Sequence, residues 1–62
     1  MEGMKLWIAR DKDGLLYLYD KMPAKHSEFF YYTGYNEIRL DDSMFSEVTF
    51  ENSPQEVELK LV

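Results

Sequence analysis

Residues 4–20 constrain the fold more than any other stretch, because two apolar segments flank the turn Asp11-Lys12-Asp13-Gly14. Gly14 supplies the positive φ that a tight hairpin needs, and Asp suits the positions before it. A loop of Lys12, Asp13 and Gly14 sets Asp11 opposite Leu15, Ala9 opposite Tyr17 and Trp7 opposite Tyr19. The same register sets Arg10 opposite Leu16 and Ile8 opposite Leu18. Both faces of the ribbon are then apolar, one aliphatic and one aromatic. A two-sided hairpin must be covered twice, and the chain has only 62 residues to do it.

A chain of this length forms one domain, residues 1–62, and buries only about 60% of its unfolded surface. Such a core supplies about 3–5 kcal/mol, so small scaffolds add disulfides, a metal or a partner subunit. The absence of cysteine excludes disulfides and thiolate metal sites, and leaves oligomerisation as the expected staple. It also fits a reducing compartment. No run approaches the roughly 18–20 apolar residues of a membrane span, and the first residues lack signal-peptide character, so the expectation is a soluble cytoplasmic protein. The net charge of −5 is uneven. Residues 1–40 balance, while Asp41, Asp42, Glu47, Glu51, Glu56 and Glu58 face only Lys60 in the remainder. That surface repels phosphate backbones and anionic membranes, which disfavours nucleic-acid and membrane partners.

The pattern reads as all-β: a small antiparallel sheet or partly open barrel of two hairpins and a central aromatic strand. Strands are expected over residues 4–10, 15–20, 29–32, 37–40, 47–51 and 55–61, with a polar loop over 21–28 and a turn over 33–36. Asp41 before an apolar pair predicts one short helical turn over residues 41–45. Closing the last two strands through residues 52–55 pairs Phe50 with Val57, Val48 with Leu59 and Glu47 with Lys60. The alternative is α+β, since Ser53-Pro54-Gln55-Glu56 also matches a capped helix start. Against it, Val57, Leu59 and Leu61 fall in line only with period two.

No residue pattern here builds an active site. Asp11-Lys12-Asp13-Gly14 begins like a calcium loop, but Leu15 takes the next ligand position and no Glu closes it. His26 stands alone, with Ser27 too near in sequence to be an aimed nucleophile. Asp41 and Asp42 are adjacent and point apart. The expectation is therefore no catalytic residue, no metal, no cofactor and no small-molecule substrate, hence a non-enzymatic protein. The aromatic share of 16% is the feature left over. A core absorbs about half of these rings, and the face of Trp7, Tyr17 and Tyr19 is expected as an exposed patch. With Tyr31 and Tyr35, these residues form the candidate interaction surface, for a protein partner or a second copy. The alternatives are an acidic inhibitor that occupies a basic host protein, and a single-stranded nucleic-acid binder, which would need more interleaved Lys and Arg.

A resemblance adds provenance. Leu6-Trp7-Ile8-Ala9-Arg10-Asp11-Lys12-Asp13-Gly14, Leu16-Tyr17-Leu18-Tyr19 and Lys21-Met22-Pro23 form one part. Arg39-Leu40-Asp41, Ser43, Phe45, Glu47-Val48-Thr49-Phe50-Glu51 and Glu56-Val57-Glu58-Leu59 form the other. Together they resemble small uncharacterised proteins of gut anaerobic bacteria and of their phages or mobile elements, across nearly the whole chain. That group places Pro where this chain has Ser46, and its loop between Pro23 and Phe29 varies. The resemblance implies no activity and no site.

Overall fold

The computed structural model describes residues 3–32, 34 and 36–59. It is all-β, and no helix occurs among the described residues. Strands β1 (Met4–Arg10) and β2 (Leu16–Tyr19) form the expected hairpin, in the register that Gly14 dictates: Trp7 with Tyr19, Ile8 with Leu18, Ala9 with Tyr17 and Arg10 with Leu16. The turn closes with the Asp11 N–H donating to the Leu15 carbonyl at 2.8 Å and the Gly14 N–H to the Asp11 carbonyl at 2.9 Å, with Gly14 at φ 98°. In that left-handed region glycine carries no Cβ penalty.

Two further antiparallel strands flank this hairpin. β5 (Glu37–Leu40) pairs with β2, and β6 (Gln55–Leu59) pairs with β1, giving the order β5-β2-β1-β6. The strand reading of residues 55–59 therefore prevails over the helical alternative. Between the two halves, β3 (Ala24–Lys25) and β4 (Phe30–Tyr31) make a separate miniature hairpin. The 21–28 segment is thus not wholly loop, and the expected 29–32 strand is reduced to its centre. Residues 33 and 35 of the expected turn, and the far end of the last strand with the Glu47–Lys60 pair, lie outside the described residues.

The C-terminal hairpin is a correction. Residues 47–51 form turns rather than a strand, and β6 joins β1 instead of its sequence neighbour. Side chains explain why. Asn52 Oδ1 accepts the Thr49 N–H at 2.8 Å, its Nδ2 donates to the Glu47 carbonyl at 2.8 Å, and Thr49 Oγ1 accepts the Asn52 N–H at 3.2 Å. Backbone groups that a ladder would satisfy are taken locally. Ser53 completes the closure: its Oγ donates to the Thr49 carbonyl at 2.5 Å and accepts the Arg10 N–H at 3.0 Å.

The single turn expected over 41–45 is present as one hydrogen-bonded turn, and it does not extend into a helix. Asp41 Oδ1 accepts the Ser43 N–H at 2.8 Å and the Ser43 hydroxyl at 2.6 Å, and the Met44 N–H reaches the Asp41 carbonyl at 3.0 Å. The chain then reverses at Phe45, whose φ is 50°. Arg10 holds the result in place. Its Nε donates to the Val48 carbonyl at 2.6 Å, Nη1 to Gly14 at 2.7 Å and Asp42 at 3.1 Å, and Nη2 to Met44 at 2.9 Å and Phe45 at 3.2 Å. A guanidinium carries five N–H groups in a rigid fork, and each contact here is to a carbonyl. The carbonyls of Asp42, Met44 and Phe45 turn to this one cation, and the Phe45 carbonyl also accepts the Val48 N–H at 2.9 Å.

Both faces of the central hairpin are covered, unequally. On one face Ile8, Leu16 and Val48 are buried together, with Leu40 and Val57 against them. On the other, Ala9, Tyr19 and Phe30 are buried, with Trp7, Tyr17, Tyr32 and Phe50 packed around them.

Candidate functional site

The aromatic face is the closed one. Tyr19 is only 2% exposed, its ring 4.7 Å from that of Tyr32 and 6.2 Å from that of Tyr17. Phe30 and Phe50 meet edge to face at 5.7 Å, and Lys25 Nζ lies 4.4 Å from the Phe50 ring centre while donating to the Glu51 carbonyl at 3.3 Å. Burial, with Asp11 and Glu37 nearby, holds the Tyr19 hydroxyl well above the ordinary phenol range, so it stays protonated. Trp7 and Tyr17 are half-buried, Tyr31 is exposed, and Tyr35 lies outside the described residues. The expected exposed patch of Trp7, Tyr17 and Tyr19 is therefore not formed: β4 and the segment after it lie over that face, and Tyr19 is core.

The turn acids act structurally. Asp11 Oδ1 accepts the Phe30 N–H at 3.0 Å, and the Lys12 N–H reaches the Glu28 carbonyl at 3.0 Å. Together these bonds latch the miniature hairpin to the main one. Burial raises the Asp11 pKa, the Phe30 N–H opposes that, and neighbouring Asp13 adds to it. Asp13 Oδ1 accepts the Leu15 N–H at 3.1 Å. His26 is exposed and stacks on Phe29 with ring centres 5.0 Å apart, within the tight β3–β4 turn. Asp41 is occupied with Ser43, which lowers its pKa, and Asp42 pairs with Arg39 at 3.4 Å. Among the described residues no group of three or more His, Asp or Glu is arranged to hold a metal.

The open surface lies on the aliphatic face. Alternation along the paired strands puts Met4, Leu6, Ile8, Leu18, Ile38, Leu40, Val57 and Leu59 on that side. Residues 41–53 cover only the end near Arg10, where Val48 inserts. Among the described residues the far end is open, with Met4 59% and Leu59 57% exposed, and on the β5 edge Ile38 is 56% exposed. Between cover and open end lies a groove of about 340 Å³, walled by Leu6, Leu18, Val57 and Leu59 from the sheet and by Met44 and Phe45 from the loop. Glu58 also borders it. Concave apolar surface of this kind, rimmed by polar groups, marks sites that receive another molecule.

Sequence reasoning named none of these wall residues as a site. The signal it held was the pair Met44-Phe45, large apolar side chains stranded in an acidic segment. Compared with protein-family models, curated proteins and solved structures, the chain matches none. No helix among the described residues is long and apolar enough to cross a membrane.

Proposed function

We propose that this protein is a non-enzymatic interaction module of the cytoplasm, and that its aliphatic groove receives an apolar, basic-flanked segment of another protein. The half-covered sheet face carries the reading. Apolar side chains left in water beside a preformed groove favour an apolar occupant. Charge selects among occupants: the chain carries −5, Glu58 borders the groove, and Asp41 and Asp42 follow directly on Leu40, which also lines it. A partner with Lys or Arg beside its apolar residues is steered toward this surface, and an acidic one is repelled. An inhibitor of a basic host protein is one form such a module takes. The cysteine-free composition supports the cytoplasmic setting.

Two synthetic peptides with identical alternating Leu residues, one flanked by Lys and one by Glu, test this. Titration is expected to show the Lys-flanked peptide binding about tenfold more tightly or better at low salt. Leu59→Asp and Met44→Asp are each expected to remove that binding, and Tyr31→Ala to leave it unchanged. Equal binding of both peptides, binding of neither, or binding indifferent to Leu59→Asp contradicts the reading.

A further inference from the structure

Antiparallel ladders alternate, so one bonded pair fixes which backbone groups point outward. The Asp20 N–H donates to the Asn36 carbonyl at 3.3 Å, continuing the β2–β5 register. Leu18 with Ile38 and Leu16 with Leu40 are then the bonded pairs, and Glu37 and Arg39 turn their N–H and C=O groups away from β2, into solvent. At the opposite edge, the bond from Asp11 to Leu15 turns the odd residues of β1 toward β2. Its even residues bond to β6, which leaves the backbone of Glu56 and Glu58 facing outward.

We infer that β5 is a self-complementary edge through which two copies of this chain pair, antiparallel, about a two-fold axis at Ile38. In that register Glu37 of each copy lies opposite Arg39 of the other, each pair exchanging both of its N–H···O=C bonds, with opposite charges side by side. Arg39 already holds Asp42 at 3.4 Å, so the second copy's Glu37 completes an acid–base–acid row. Ile38, 56% exposed in one copy, meets its own equivalent on the aliphatic side. Sliding the register by one step in either direction sets Glu37 against Glu37 or Arg39 against Arg39, so charge selects one alignment.

Among the described residues the outward groups of β6 belong to Glu56 and Glu58, and pairing these with themselves sets glutamate against glutamate. The β5 pairing joins two copies in the strand order β6-β1-β2-β5-β5-β2-β1-β6. The pairing goes beyond the docking reading. It uses the edge and not the groove, and it brings two grooves onto one continuous face.

Charge-swapped variants followed by sedimentation equilibrium and native mass spectrometry test it. The unaltered protein is expected to pass from monomer to dimer between micromolar and millimolar concentration. Glu37→Arg and Arg39→Glu each place like charges across the axis and are expected to weaken the dimer about tenfold or more. Mixed in equal amounts, the two variants regain opposite charges at both pairs and are expected to form a mixed dimer of unaltered strength. Near-ultraviolet circular dichroism of Trp7 and the tyrosines checks that each variant is folded. In the dimer the Glu37 and Arg39 amides become protected from hydrogen exchange and the Glu56 amide does not. A monomer throughout the range, a dimer indifferent to both substitutions, or a mixture that fails to recover overturns the pairing. None of those outcomes bears on peptide binding in the groove, which a monomer can perform.

Discussion

Arg10 is the residue on which the irregular half of the molecule depends. It leaves β1 beside Leu16 and gathers carbonyls from residues 14, 42, 44, 45 and 48, which no other cation reaches in the structure's described hydrogen bonds. Removing it takes the guanidinium donor from the part-buried Val48 and Gly14 carbonyls and from the exposed carbonyls of Asp42, Met44 and Phe45. Arg10→Ala is expected to destabilise by about 2–3 kcal/mol in urea unfolding, and Arg10→Lys, which keeps the charge but lacks the planar fork, to recover less than half of that. Asp11 and Asp41 respond to pH in opposite senses. The raised Asp11 pKa means that its ionised form disfavours the fold at neutral pH, a penalty that fades as pH falls through the raised value toward 3.8. Asp11→Asn, which keeps the acceptor for the Phe30 N–H, is therefore expected to match or exceed wild-type stability at pH 7 and to lose that advantage in acid. Asp11→Ala removes the acceptor and is expected to cost about 1 kcal/mol. For Asp41 the pKa is lowered, so its contribution is present above 3.8 and is lost as pH falls through the lowered value. Asp41→Asn is expected to be less stable than wild type at pH 7 and indistinguishable from it in strong acid. Chemical denaturation across pH reads both effects.

At the scale of elements, legibility tracked how locally each one is determined. The β1–β2 register was readable because a glycine at positive φ fixes the loop length, and loop length fixes every pair after it. Glu37–Leu40 was readable for a similar reason, bounded by turn residues and by Asp41. The β1–β6 pairing was not, because alternation in residues 55–59 states which face is apolar and leaves open which strand it joins. A cross-chain cue existed. Lys5 sits opposite Glu58 and lies 3.6 Å from Glu56, a better charge match than a neighbouring acidic strand offers. Val48 and Phe50 misled in a more instructive way. Their spacing suggests one strand face, but the Asn52 and Ser53 side chains fold the backbone so that Val48 enters the aliphatic core and Phe50 the aromatic one. The segment thus clamps both faces. Val48→Ala is expected to cost about 1–2.5 kcal/mol, and Asn52→Ala, which removes two side-chain bonds to the backbone of Thr49 and Glu47, a comparable amount, by thermal unfolding.

For the molecule as a whole, the doubled apolar surface of the hairpin was the right problem, and its solution inverts the expected exposure. The aromatic face was read as the one left for a partner, since it carries the interface-prone Trp7, Tyr17 and Tyr19. In the structure β4 and Phe50 cover its centre, burying Tyr19 and leaving Trp7 and Tyr17 half-buried, and the cover for the aliphatic face stops halfway along. Sequence pattern sorts residues onto faces but does not measure how far a loop reaches, so the open end of the groove was not legible. Replacing its exposed residues should leave folding nearly intact: Met4→Ser, Ile38→Ser and Leu59→Ser are each expected to shift stability by no more than about 0.5 kcal/mol. The most direct test of this asymmetry is a backbone-amide NMR titration of the intact protein with the Lys-flanked apolar peptide. Shifts are expected to concentrate at Leu6, Leu18, Met44, Val57 and Leu59, with the Trp7 indole and Tyr31 unmoved. Shifts centred on Trp7, Tyr17 and Tyr31, with the groove silent, would contradict the account.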